Sequence, residues 1–76
     1  MTYDQDLDTT GLLCPLPVLK AAKRLRAMAP GQVLRIVADD PASIIDVPHF
    51  CAEQGFELQK QEIETSPYTY YIYKTP

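Results

Sequence analysis

Polar and apolar positions alternate near the start of the chain and give way to a mostly apolar run further along. From Tyr3 to Asp8, three aspartates alternate with Tyr3, Gln5 and Leu7. This pattern predicts a first strand with one face in water. From Val33 to Ala38, Arg35 is the only charged residue. That run predicts a central strand whose helix-facing residues are Leu34, Ile36 and Ala38.

Two further β-type runs lie close together near the end of the chain. Phe56 to Ile63 and Tyr68 to Lys74 are separated by Glu64-Thr65-Ser66-Pro67, which predicts a terminal hairpin. Alternation in the second run puts Tyr71 and Tyr73 on the face opposite to Tyr68, Tyr70 and Ile72. Clustered tyrosines can stack on bases, but Lys74 is the only basic residue near them, so packing between strands is the favoured interpretation.

Helical spacing predicts a first helix between the first two strands. It runs from Pro15 to about Met28, and Pro30-Gly31 ends it and turns the chain. The apolar stripe of this helix is predicted to comprise Val18, Leu19, Ala22, Leu25 and Ala29.

A second helix is predicted after the central strand, with Asp40 as its N-cap and Pro41 in its first position. Pro48 is expected to interrupt it. The expected pieces are an opening turn from Pro41 to Asp46 and a second segment from about Pro48 to Gln54, closed by Gly55. Phe50 would then point into the core.

The order β-α-β-α-β-β predicts an α+β fold, a two-layer α/β sandwich in which a mixed four-stranded sheet carries both helices on one face. The first crossover should be right-handed. The turns after the first and second strands then emerge at the same edge of the sheet. We therefore expect Cys14 to lie beside Asp39 and Asp40, on a shallow rim rather than in a deep pocket.

Length and composition limit the number of domains and indicate where the protein works. The 76 residues, 46% of them hydrophobic, suffice for one small domain over residues 1–76 with a modest core, which we expect to be monomeric. No apolar stretch approaches the length that spans a bilayer, and Met1-Thr2-Tyr3-Asp4 does not resemble a signal segment. A soluble, cytoplasmic protein with reduced thiols is expected, without a membrane partner.

Charge is distributed unevenly along the chain. The net charge of −3 and the pI of about 4.8 disfavour broad nucleic-acid binding, because contacts to phosphates need a surplus of basic residues. Between Pro15 and Val37, however, there is no acidic residue. The first helix therefore carries a cationic ridge, formed by Lys20, Lys23, Arg24 and Arg26.

Cys14 opens the segment Cys14-Pro15-Leu16-Pro17, immediately before the first helix. Backbone N–H groups at a helix start favour a thiolate over a thiol, and those of Leu16 and Val18 are candidates to point at the sulfur. Pro15 and Pro17 stiffen the first turn, with Pro15 in the first helical position. Gly11 permits a bend with positive φ that lifts the thiol out of the preceding strand. A small buried hydrophobe is the structural alternative for this cysteine.

Other chemistries find weaker support in the sequence. His49 and Cys51 have no zinc-binding spacing and lack a fourth ligand, so we expect His49 at the surface and Cys51 in the core. Asp39 and Asp40 are favoured as capping residues over a metal pair. A thiol hydrolase would need a base and an orienting group, which spacing does not supply.

An ordered set of segments through nearly the whole chain resembles the TusA family of small sulfur carriers, also called SirA-like. The segments are Gly11-Leu12-Leu13-Cys14-Pro15-Leu16-Pro17, Pro30-Gly31, Ala38-Asp39-Asp40-Pro41-Ala42, Asp46-Val47-Pro48 with Phe50-Cys51, and Pro67-Tyr68. The resemblance implies a mixed-sheet sandwich related to the C-terminal domain of translation initiation factor three.

The resemblance also implies a function. Cys14 of the CPxP motif would accept sulfane sulfur from a cysteine desulfurase or a rhodanese, hold it as a persulfide without any cofactor, and yield it to an acceptor protein. The cationic ridge would dock an acidic partner surface. Leu16 stands where tRNA-thiolating members typically have Glu, so the pathway stays open among tRNA thiolation, sulfur oxidation, molybdenum cofactor assembly and regulation.

Three hypotheses remain at the level of sequence. The first is a sulfur carrier, and the second is a protein-interaction or regulatory module in which Cys14 is only structural. A thiol–disulfide protein that pairs Cys14 with Cys51 is the third possibility, and it requires Cα atoms within about 7 Å.

Overall fold

Four strands and two helices follow one another in the predicted order. The computed structural model describes residues 1–76. Its elements are β1 (Gln5–Asp8), α1 (Leu16–Ala27), β2 (Val33–Ala38), α2 (Ser43–Gln54), β3 (Glu57–Glu62) and β4 (Tyr68–Tyr73). The bounds of β2 are those predicted, and the other strands are shorter by one or two residues at their ends. Neither helix is long and apolar enough to cross a membrane.

The strands form one mixed sheet in the order β1-β2-β4-β3. β1 runs parallel to β2, while β4 is antiparallel to both β2 and β3, so the predicted hairpin is confirmed. Because successive side chains of a strand point to opposite faces, β2 and β4 each present alternate residues to the helices. The core between the sheet and both helices comprises Ala21, Leu25, Met28, Leu34, Ile36, Ala38, Val47, Cys51, Tyr70 and Ile72.

The tyrosines of β4 divide between the two faces as predicted. Tyr70 pairs with Ile36 in the register and is fully buried, and its hydroxyl lies 2.8 Å from that of Ser43 at the start of α2. Tyr71 pairs with Arg35 on the open face. The ring of Tyr3 packs 6.1 Å from that of Tyr71 and under the guanidinium of Arg35. The alternation had placed Tyr3 with Gln5 and Leu7, and this was wrong because β1 begins only at Gln5.

The apolar stripe of α1 is rotated from the predicted one. Its buried residues are Pro17, Ala21 and Leu25, continued by Met28 just beyond the helix end. Leu19 is 57% exposed and Ala29 is also exposed. Side chains that are three or four residues apart lie on the same face of a helix. The prediction left out Pro17. A stripe that starts at Pro17 and continues at this spacing reaches Ala21, Leu25 and Met28, the residues that are buried. Leu19 is therefore free to contribute to another surface.

The second helix is continuous, so the predicted break at Pro48 is wrong. α2 begins after Ala42 and ends at Gly55, which adopts φ +75° as the predicted closing residue. Pro48 lies inside it, where a proline removes one backbone hydrogen bond, to the carbonyl of the residue four positions earlier. Burial of Val47 and Cys51 on the core side holds the helix together across this gap. Phe50 is half-buried against the core and packs on Phe56.

Candidate functional site

The turn that follows β1 and the turn that follows β2 meet at one edge of the sheet, as predicted. The backbone N–H of Gly11 donates to Asp39 Oδ1 at 2.9 Å, and that of Cys14 donates to Asp40 Oδ2 at 2.7 Å. Both turns leave the same ends of neighbouring parallel strands, which brings them together. Gly11 adopts φ +81°, the left-handed bend that glycine permits.

Asp40 has a second role beside the predicted capping of the segment that opens α2. One oxygen of its carboxylate accepts the Cys14 N–H, and the other accepts the N–H of Ala42 at 3.1 Å. α2 begins with Ala42 in the N-cap position, two residues after Asp40. Asp40 therefore connects the Cys14 turn to the segment that opens α2.

The two prolines hold the start of α1, although one residue out of the predicted register. Pro15 is the N-cap, with φ −98° and ψ 16°, and its carbonyl accepts the N–H of Leu19 at 3.1 Å. Pro17 lies in the first turn and is buried. The N–H of Leu16 donates to the carbonyl of Leu13 at 2.8 Å. Leu16 therefore does not offer its N–H to the sulfur, contrary to the expectation from the sequence.

The thiol of Cys14 is exposed, and its charged neighbours are acidic. Its pKa lies above the ordinary value of 9.0, chiefly because of a hydrogen bond to the Asp46 carboxylate. Desolvation and the negative charges of Asp46 and Asp40 act in the same direction. The expected low pKa is therefore wrong for the isolated protein, since nearby carboxylates disfavour a thiolate.

Asp46 is a site residue that sequence reasoning missed. It lies in the first turn of α2 and comes beside Cys14 because that helix starts at the same edge of the sheet. The signal was present in its position, six residues after Asp40. The sequence prediction placed Asp46 at the end of a short turn and gave it no role at the site.

Cys14 opens onto a groove of about 360 Å³ between α1 and α2. The α1 side is apolar and includes Pro15, Val18, Leu19 and Ala22, while the α2 side carries Asp46, His49, Phe50 and Glu53. The groove is open to solvent, consistent with the predicted rim. A larger depression of about 570 Å³ lies at the turn between β3 and β4, but no cysteine or histidine lines it.

The cationic ridge lies on a different side of α1 from this groove. Lys20, Lys23 and Arg24 line a separate depression of about 300 Å³ together with Leu7. Arg24 is partly engaged, because its guanidinium donates to Gln5 Oε1 and to the carbonyl of Asp6, both at 3.3 Å. Lys20, Lys23 and Arg26 are exposed and form the free part of the ridge.

The second cysteine and the histidine lie where the sequence predicted. Cys51 is 2% exposed, and burial raises its pKa to about 11. Both cysteines are free, so the structure contains no Cys14–Cys51 disulfide. His49 is exposed, with Nε2 3.4 Å from Glu53 Oε1. No three His, Cys, Asp or Glu side chains come together in a way that could hold a metal ion.

Comparisons with known proteins point to one family. The family model described as sulfurtransferase TusA matches residues 5–74. The sulfur carrier protein TusA of Allochromatium vinosum is 44% identical over 73 residues, which are 96% of this chain and 96% of that protein. The crystal structure of a SirA-like protein from Desulfitobacterium hafniense superimposes with a TM-score of 0.76. It is 20% identical and the match covers 91% of this chain and 93% of that one, which shows a shared fold.

Proposed function

The chain belongs to the TusA family of sulfurtransferases and is a sulfur carrier of a sulfur relay, and we propose that Cys14 is the residue that carries the sulfur, as a persulfide. We further propose that a cysteine desulfurase or a rhodanese loads Cys14, and that an acceptor protein unloads it. The relay is proposed to lie in the cytosol, where thiols are kept reduced.

The main support for Cys14 as the carrier residue is that its thiol is exposed while its backbone is held in place by hydrogen bonding. Its sulfur faces solvent, while its own N–H is held by Asp40 and the following turn is held by the buried Pro17. Cys51, by contrast, is sealed in the core. A protein partner can therefore reach one of the two cysteine sulfurs. A carrier needs no deep pocket because each partner brings its own active site.

Loading consists of an exchange of sulfur–sulfur bonds. The Cys14 sulfur, as thiolate, attacks the outer sulfur of a donor persulfide, and a new bond forms between them. The donor's sulfur–sulfur bond breaks, and its electron pair stays on the donor's own sulfur. The proton lost by Cys14 ends on that donor sulfur, so the step needs no external oxidant or reductant and no cofactor.

The surface around Cys14 suits a protein partner that excludes water from the reacting sulfur when it docks. Exposed aliphatic side chains lie on the segments that meet at this edge: Leu13 before α1, Leu16 and Leu19 on α1, and Ile45 at the start of α2. Leu19 also lines the groove of Cys14. A partner that docks on these side chains would remove water around the sulfur. Lys20 and Lys23, at the neighbouring side of α1, would contact acidic residues of the same partner.

The experiment is a loading assay with the intact protein. Incubation with a cysteine desulfurase and cysteine, without reductant, should add the mass of one sulfur atom to the wild type and to Cys51→Ala. Cys14→Ser should gain none. If instead Cys14→Ser gains the same sulfur, Cys14 is not the carrier residue. If Cys14→Ser also keeps full relay activity in cells, the interaction-module hypothesis replaces the proposal.

A further inference from the structure

The carboxylates near Cys14 have no lysine or arginine beside them in the groove. Asp46 and Glu53 line it on the α2 side, and Asp40 holds the Cys14 backbone from below. No lysine or arginine lines the groove. His49, the single histidine of the chain, lies beside the carboxylate of Glu53. The sulfur therefore has carboxylates on the α2 side of the groove and apolar side chains on the α1 side.

Three basic residues of the cationic ridge line a different depression from the one onto which Cys14 opens. Lys20, Lys23 and Arg24 line the depression on the other side of α1, and Arg24 is bound to β1. Of the backbone donors at the helix start, the N–H of Cys14 is bound to Asp40 and that of Leu16 to Leu13. A thiolate at Cys14 thus has no cation of this chain beside it, although sulfur acceptance requires a thiolate.

We propose that Asp46 keeps Cys14 as a neutral thiol in the free carrier, and that a cationic side chain of the docked sulfur donor, seated in the groove beside Asp46, releases the thiolate. This inference rests on the proposed function and adds a requirement on the donor. Cys14 and Asp46 line the same groove, with Asp46 in the first turn of α2, and this proximity supplies the restraint. The raised pKa of Cys14, to which Asp46 contributes most, agrees with it.

The donor's cation changes the proton balance without entering the covalent step. Once it pairs with Asp46, the carboxylate no longer opposes a negative charge on Cys14. The thiol proton then passes to the donor sulfur that leaves, and Cys14 bonds to the outer sulfur of the donor persulfide. In the absence of a donor the exposed cysteine stays protonated, which lowers its reactivity toward small oxidants and electrophiles.

The first test uses the free protein and iodoacetamide, a neutral alkylating reagent. The alkylation rate is followed against pH for the wild type, Asp46→Asn and Glu53→Gln, which removes a charge from the same groove. We expect the midpoint of the pH profile to fall in Asp46→Asn and to stay within experimental error in Glu53→Gln. Each pH unit by which the midpoint falls should raise the rate at pH 7 about three- to fourfold, because the gain in thiolate outweighs the loss of nucleophilicity.

The second test asks whether the groove seats a cation. Cys14 is modified with a cationic and with an anionic methanethiosulfonate, matched in size, at low ionic strength. The wild type should react severalfold faster with the cationic reagent, and Asp46→Asn should lose most of this preference while Glu53→Gln keeps most of it. Retention of the full preference by Asp46→Asn would overturn the cation seat.

Folding and function are controlled separately. Circular dichroism establishes that the variants are folded, and Asp46→Ser removes the same charge if Asp46→Asn is unfolded. An unchanged midpoint in folded variants would overturn the role of Asp46. Sulfur loading of Cys14 in the wild type, measured by intact mass, would still stand in that case, so failure of this inference is distinguishable from failure of the proposed function.

Discussion

The backbone N–H of Cys14 donates a 2.7 Å hydrogen bond to the carboxylate of Asp40, a residue 26 positions later in the chain. The same carboxylate binds the N–H of Ala42 at the start of α2. One side chain thus holds the reactive turn against the second helix. The position of the sulfur on the rim depends on this link between two loops.

Replacement of Asp40 by Ala should loosen the Cys14 turn. Two backbone donors lose a charged acceptor, which we expect to reduce the free energy of unfolding by about 1 to 2 kcal/mol, because the bonds are at the surface. Amide hydrogen exchange at Cys14 should accelerate. Asp39→Ala is the matched control, since it removes the acceptor of Gly11 and leaves that of Cys14 in place. Equal protection of the Cys14 amide in Asp40→Ala and wild type would contradict this account.

The double substitution Lys20→Glu and Lys23→Glu should weaken binding of the sulfur donor by roughly tenfold at low salt, with a smaller effect at high salt because ions screen exposed charges. Both side chains are exposed, so the free energy of unfolding should change by less than about 0.5 kcal/mol. Calorimetric titration at two salt concentrations checks this. Arg24 is left unchanged because it binds β1.

Lys60→Glu on the exposed strand β3 serves as the control for the docking experiment, because it reverses one charge outside the ridge. The donor should bind this variant with near wild-type affinity. An affinity of the double variant that equals the wild-type value at low salt would remove the ridge from the docking surface.

Because Cys51 is buried, the free energy of unfolding should fall as the pH rises through the alkaline range. Burial raises its pKa from 9.0 to about 11, so the folded state resists loss of the thiol proton. The associated stabilisation is fully present below pH 9 and is lost as the pH rises toward 11; it amounts to roughly 2 to 3 kcal/mol. Urea unfolding between pH 8 and pH 11 should therefore show a steeper loss in Cys14→Ser than in Cys14→Ser with Cys51→Ala. Parallel curves for the two proteins would show that Cys51 does not titrate on unfolding.

Much of the architecture follows from local pattern. The alternation in β2 and β4 identified the faces of both strands because one face of each packs on helices and period two leaves little freedom. The meeting of Cys14 with Asp39 and Asp40 followed from topology alone, since parallel neighbours direct their following turns to the same edge. These features depend on few residues and on simple geometry.

The errors in the site arose where distant segments compete for the same group. Asp40 was predicted only as a helix cap, but its carboxylate binds the N–H of Cys14 as well as that of Ala42 at the start of α2. Asp46 comes beside Cys14 because it lies in the first turn of α2, which starts at the same edge of the sheet. Rules for prolines and helix caps use only residues that are neighbours in the sequence. The acidic side chains near Cys14 come from the second helix, so their proximity to the sulfur is visible only in the folded structure.

The central claim is that Cys14 holds the transferred sulfur, and peptide mapping of the loaded carrier tests it most directly. After loading, thiols and persulfides are alkylated, and trypsin cleavage after Lys20, Arg35 and Lys60 separates the peptide with Cys14 from the peptide with Cys51. We predict the additional sulfur on the peptide that ends at Lys20, with Cys51 recovered as an ordinary thiol. Recovery of the additional sulfur on the peptide spanning residues 36–60, or on neither, would contradict the account.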